Sequence, residues 1–181
     1  SGTTGKPKCI CHGIGGVLLQ HNKELQIHSD IKDKDKVFYF TTCGWMMWNW
    51  LVGALSVGAT ILLFDGFPMY KKDDLLFEFA SEEKATLFGI SAKYIDSLMN
   101  KEVIPKKNYD LSNLRTICST GSPLSKDGFR YIYNKVKKNL HVSSISGGTD
   151  IVSCFVLGNL FQPVYEGEIQ NRGLGMDVDI F

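Results

Sequence analysis

Between Lys36 and Asp65 the sequence carries no charged side chain, and a stretch of that length has two physical solutions. About 20 apolar residues in one helix span a bilayer. Alternatively, a strand, a helix and a second strand lie buried between other layers and are apolar throughout. The residues select the second solution. Gly44, Asn49, Gly53 and Gly58 interrupt the run, and its ends are Val37-Phe38-Tyr39-Phe40 and Thr60-Ile61-Leu62-Leu63-Phe64. Those ends are β-branched and aromatic, the composition of strands. The spacing therefore predicts a strand over 37–40, a buried helix over about 46–57, a strand over 60–64, and no membrane span.

The same alternation runs through most of the chain. A strand is expected over 8–12 and a helix over 16–28, followed by the charged turn Asp30-Ile31-Lys32-Asp33-Lys34-Asp35-Lys36. Helices are expected over 72–81, from Ser91 to about 100, and from Ser125 to about 138, where serine can cap the first free amides. Strands are expected over 86–90, 115–119 and 140–145. Short strands alternating with helices define an α/β fold, with a mostly parallel sheet and helices on both faces. After about residue 151, Gly158, Pro163, Gly167, Gly173 and Gly175 break the pattern into short β-like runs, so this part is expected to be more β-rich. Residues 1–181 read as one partial domain. A glycine-rich start without methionine and an end without a terminal helix pattern are expected to mark truncation at both ends.

Composition removes several function classes. The formal net charge is +1 with 22% charged residues, so no basic field points to nucleic acid. Five cysteines, odd in number and scattered, fit reduced thiols and a cytoplasmic location. Cys9, Cys11 and His12 do not make a metal site on a strand, where the two cysteines share one side and the histidine takes the other. His12, His21, His28 and His141 lack the partners of a catalytic histidine and are read as structural.

The chemistry concentrates in three glycine-containing segments. Ser1-Gly2-Thr3-Thr4-Gly5-Lys6-Pro7-Lys8 combines glycines that let backbone approach a polyphosphate, hydroxyl donors, and cationic lysines. It is not a Walker A loop, because Pro7 follows Lys6 where Ser or Thr is required. Gly121-Ser122-Pro123 and Ser146-Gly147-Gly148-Thr149-Asp150 each follow an expected strand, where α/β sheets place their ligands.

The order of these segments resembles the adenylate-forming superfamily, which includes acyl-CoA synthetases, luciferases and peptide-synthetase adenylation domains. The resemblance implies part of the large N-terminal domain, with ATP and Mg²⁺ used to activate a carboxylic acid and CoA as co-substrate. It places Ser1, Gly2, Thr3, Thr4, Gly5 and Lys6 on the phosphates. Gly121, Ser122, Pro123, Ser146, Gly148 and Thr149 would meet the nucleotide, with Asp150 serving Mg²⁺, and Lys6, Thr149 and Asp150 would be catalytic. The family's ribose-binding Gly-Asp motif and its C-terminal catalytic-lysine domain are not within the sequence, so the isolated chain is expected to be inactive.

Three departures mark a particular branch. Asp150 stands where Glu is more usual, Ser146 where an aromatic commonly stacks on adenine, and Ser122 where the family has Glu. By comparison with acetate-activating members, Trp45, Met46, Met47 and Thr120 would line the acyl pocket. Gly147 takes the position of a tryptophan that closes it. A missing side chain there implies an acid longer than acetate, with a methylene or two worth about 1–3 kcal/mol in such a pocket. Together with Gly167-Glu168-Ile169-Gln170 and Leu174-Gly175-Met176, the pattern resembles the branch that activates acetoacetate. A ligase for another short or branched acid, and a non-catalytic nucleotide-binding relative, stand as alternatives. Oligomeric state is not readable.

Overall fold

The computed structural model describes residues 5–179 and 181. Ser1, Gly2, Thr3 and Thr4, four of the expected phosphate-binding residues, lie outside the described residues. The core is a sheet of β1 (Lys36–Tyr39), β2 (Thr60–Leu62), β3 (Leu87–Ser91), β4 (Thr116–Thr120) and β5 (His141–Ser144), in the order β2-β1-β3-β4-β5. Every pairing is parallel. The uncharged run forms β1, helix α2 (Met46–Gly53), a 3₁₀ turn (Ala54–Val57) and β2. Among the described residues no helix is long and apolar enough to cross a membrane.

Alternation along the strands sends side chains to two cores. Val37 and Tyr39 join Trp50, Leu51 and Ala54 of the α2 segment on one face. Phe38, Phe88, Ile90 and Ile117 pack on the other against α3 (Leu75–Glu82), α4 (Ala92–Asn100) and α5 (Lys126–Tyr131). Both expected caps are present: Ser91 Oγ accepts from the Tyr94 amide at 3.2 Å, and Ser125 Oγ from the Gly128 amide at 3.0 Å. The α5 helix continues as a π-type turn to Val136.

The strand β2 ends at Leu62 and α3 starts at Leu75, inside their expected ranges, and three larger differences from the sequence reading follow. Residues 8–12 form no strand: Lys8, Cys9, Cys11 and His12 are exposed and the segment has no ladder, without which a strand has no partner for its amides. Helix α1 spans Ile14–Lys23 and turns π-type over Glu24–His28, starting earlier than expected because Gly15 and Gly16 are accommodated in its first turn. The β-rich part begins at Ser146, not at 151. There β6 (Ser146–Gly148), β7 (Ser153–Leu157) and β8 (Asn171–Arg172) form an antiparallel sheet in the order β6-β7-β8.

Candidate functional site

The carboxyl ends of β4 and β5 open on a cavity of about 490 Å³. Its wall contains Trp45, Met46 and Met47 from the start of α2, Thr120 through Pro123 after β4, and Ser144 through Thr149 at and after β5, with Ile169 closing one side. All five expected acyl-pocket residues are therefore on one cavity. It also includes the expected nucleotide residues Gly121, Ser122, Pro123, Ser146, Gly148 and Thr149. Ser144, Ile145 and Ile169 belong to the same wall and were not among the expected pocket residues, although Ile169 lies in the Gly167-Glu168-Ile169-Gln170 segment that marks the branch. Ile169 comes from a loop distant in the chain, and nothing in its own segment shows that it reaches this wall.

Each part of the wall is set by local chemistry. Gly121 has φ +87°, a conformation that favours glycine, and it turns the chain sharply off β4. Thr120 Oγ1 donates to the Ile145 carbonyl at 3.1 Å, joining the two strand exits. Ile169 is held by its neighbour. The Gln170 amide Oε1 accepts from the Asn159 amide at 3.0 Å and from His141 Nε2 at 2.8 Å, while its Nε2 donates to the Asn159 and Gln162 carbonyls, each at 2.9 Å.

Gly147 contributes main chain to the cavity. A Cβ atom there would stand 2.2 Å from the Ser153 carbonyl oxygen and 2.8 Å from Cys154 Cα, so the close approach of β6 to β7 itself requires glycine. Thr149 lies at the end of the wall and is exposed, as is Asp150 next to it. Their turn closes through the Val152 amide, which donates to the Thr149 carbonyl at 3.2 Å. Val152 has φ +48°, a costly conformation for a β-branched residue and a kind of strain that clusters at functional sites. It is held there by His21, whose Nε2 donates to the Val152 carbonyl at 2.7 Å.

The segment after the phosphate-type loop reaches the same turn. His12 Nε2 donates to the Thr149 carbonyl at 3.1 Å. Lys6 is exposed, Gly5 has φ +85°, and neither is part of the cavity wall. The four histidines are all hydrogen-bonded within the fold, His28 through Nδ1 to the Gly158 carbonyl at 2.8 Å and through Nε2 from the Leu174 amide at 3.1 Å.

No described residue of the wall titrates near neutral pH: it presents hydroxyls, main chain, thioethers and an indole. The buried thiols nearby are not nucleophiles either. Burial pushes Cys118 up to about 12 and raises Cys154 well above the usual thiol range, which leaves both protonated and unreactive. Such a wall can bind and orient a ligand through hydroxyls, main chain and apolar contact. Among the described residues no group of three or more His, Cys, Asp or Glu side chains gathers to hold a metal.

A cavity at the carboxyl ends of parallel strands lies where α/β sheets commonly place a small-molecule ligand. The sequence matches the AMP-binding enzyme family over residues 1–169, and the chain belongs to that family. It is 55% identical over 181 residues to the acetoacetyl-coenzyme A synthetase of Rhizobium meliloti (strain 1021), covering 100% of this chain and 28% of that protein. It is 44% identical over 192 aligned positions to a malonamoyl-CoA synthetase of Penicillium aethiopicum, covering 98% of this chain and 27% of that protein. Among solved structures, the acetoacetyl-CoA synthetase from Streptomyces lividans matches with a TM-score of 0.91 and 43% identity, over 96% of this chain and 27% of that one. The chain thus spans little more than a quarter of the length of these relatives.

Proposed function

We propose that this chain supplies the acyl pocket and part of the nucleotide site of an ATP-dependent acetoacetate–CoA ligase. The observation that carries the reading is a cavity in which the expected acyl residues and nucleotide turns are continuous and no described wall residue titrates. In adenylate formation the substrate carboxylate is itself the nucleophile. Its oxygen attacks the α-phosphorus of ATP, the bond to the bridging oxygen of pyrophosphate breaks, and acetoacetyl-adenylate forms. The thiol sulfur of CoA then bonds the acyl carbon and AMP leaves. What the protein contributes to the first step is alignment and donors for developing charge.

Met46, Met47, Thr120, Gly147 and Trp45 are assigned to the acid. Gly121, Ser122, Pro123, Ser146 and Gly148 are assigned to the nucleotide, and Thr149 to its phosphate, with Ser1 through Lys6 on the polyphosphate. Asp150 is one exposed carboxylate beside the phosphate turn. That fits Mg²⁺, which is commonly held by one or two carboxylates together with substrate phosphates, and Mg²⁺ would supply charge neutralisation there. The names of the relatives from Rhizobium and Streptomyces support acetoacetate as the acid. The malonamoyl-CoA synthetase name favours, as a second reading, another short acid with a carbonyl at the third carbon.

The test is ATP–pyrophosphate exchange by the full-length protein with acetate, propionate, butyrate, malonamate and acetoacetate. Acetoacetate is expected to exchange fastest and acetate at least tenfold slower. Equal rates with acetate overturn the assignment, and a maximum with malonamate selects the second reading. Product analysis for acetoacetyl-CoA and AMP completes it.

A further inference from the structure

Helix α1 and its π-type extension bury a polar face. Gln20, His21, Glu24 and His28 lie on it at helical spacing, and the last three are buried. Glu24 is fully enclosed and four donors converge on it. Oε1 accepts from Gln20 Nε2 at 3.0 Å, from the Cys154 amide at 3.1 Å and from Ser153 Oγ, while Oε2 accepts from Trp50 Nε1 at 3.0 Å. Burying a carboxyl group is costly unless its acceptor capacity is filled, and here it is filled by Gln20 of its own helix and from two further elements, α2 and β7.

One of those elements carries part of the cavity wall and the other backs it: α2 supplies Met46 and Met47, and β7 lies against Gly147. Trp50 lies one helical turn beyond Met46 and Met47 on α2. Ser153 and Cys154 are the β7 residues against which Gly147 rests, with a Cβ position at 147 standing 2.2 Å from the Ser153 carbonyl oxygen. Glu24 itself is not part of that cavity's wall. We infer that Glu24 is a positioning residue that fixes the spacing between the methionine wall and the Gly147 wall, and so sets which acid fits. This rests on the proposed acid-activating function of that cavity. The Thr149–Val152 turn has further anchors, His21 on Val152 and His12 on Thr149, that do not pass through Glu24, so the effect of Glu24 falls more on the acid than on ATP.

The experiment uses the full-length protein with Glu24→Gln, Trp50→Phe and wild type. Glutamine keeps the length but turns one acceptor into a donor, so at least one of the converging donors loses its partner. Trp50→Phe removes the donor that ties α2 together with part of a buried ring, and so leaves Gln20, Ser153 and the Cys154 amide on Glu24. Expected for Glu24→Gln is a tenfold or larger rise in KM for the acid, a KM for ATP within twofold of wild type, and a reduced preference for acetoacetate over acetate. Trp50→Phe is expected to shift acid KM and preference in the same direction by a smaller factor. The inference is overturned if acid and ATP KM rise together, or if only the thermal midpoint falls while acid preference is unchanged. Should Glu24→Gln fail to fold, Trp50→Phe decides alone, and unchanged acid preference there overturns the inference. A wild type that prefers another acid refutes the acetoacetate assignment, and the role of Glu24 is then judged on the preference for that acid.

Discussion

Gly147 and Ser153 approach so closely that a Cβ atom at 147 would stand 2.2 Å from the Ser153 carbonyl oxygen. The obstacle is backbone, which cannot rotate aside as a side chain can. Gly147→Ala is therefore expected to lower stability by about 1–3 kcal/mol, the usual range for overpacking. A tryptophan would have to part β6 from β7 before reaching the cavity. Gly147→Ala should reduce adenylation of every acid at least tenfold. Denaturant unfolding and the pyrophosphate exchange panel measure both effects, and a gain of activity with acetate would contradict the steric argument.

Thr120 and Ile145 join the exits of β4 and β5 through one hydrogen bond of 3.1 Å. Thr120→Val keeps the shape and deletes the donor. Loss of one such bond costs about 1 kcal/mol, so KM for the acid is expected to rise about fivefold with the fold intact. Steady-state kinetics with the acid varied at saturating ATP give the value. An unchanged KM would remove Thr120 from the acid site.

Tyr39 lies across Gly89, its partner in the β1–β3 register, and a Cβ at 89 would stand 2.1 Å from Tyr39 Cδ2. The ring is buried and packs edge-on against Trp50, with centroids 5.9 Å apart, so it has no free direction to move. Gly89→Ala is expected to cost about 1–3 kcal/mol. Combined with Tyr39→Leu, the two changes should couple by at least about 1 kcal/mol in a double-mutant cycle. Additive effects would show that the clash is relieved elsewhere.

His141 donates from Nε2 to Gln170, leaving Nδ1 buried without a hydrogen-bond partner. Burial is the main cause that lowers its pKa below the ordinary histidine value of 6.5, with a smaller lowering contribution from His28 and an opposing one from Gln170. Between the lowered folded value and 6.5 the unfolded chain binds a proton that the folded chain does not. Stability then rises with pH in that window and is lost as pH falls from 6.5 through the folded value. His141→Gln should flatten this part of the stability profile, read by thermal unfolding between pH 5 and 7. An identical slope in wild type and variant would place the dependence elsewhere.

Much of the architecture was legible because it rests on local rules. The uncharged stretch from Val37 to Phe64 resolved into β1, α2 and β2, since glycine interruptions and β-branched ends are readable one residue at a time. Ser91 and Ser125 cap the helices that follow them, as side-chain oxygen next to free amides requires. The extended reading of residues 8–12 did not survive, because a strand exists only through a partner and none is supplied there.

The polar face of α1 was the least legible element. Ile14 and Leu19 are among its most exposed residues while Glu24 is among its most buried, the reverse of what apolar periodicity leads one to expect. Only β7, more than a hundred residues later, and Trp50 explain it, by donating to that carboxyl group. The residue types, their order along the chain and the three glycine-containing segments thus carried the fold class and the likeness to adenylate-forming enzymes, because turns, caps and strand periodicity are short-range properties. Tertiary structure alone decided that Ser144, Ile145 and Ile169 complete the wall that Met47, Thr120 and Gly147 share. It also decided that Gly147 faces backbone and that Glu24 ties the walls together, since hydrogen-bond geometry and close packing depend on distances that no local pattern encodes.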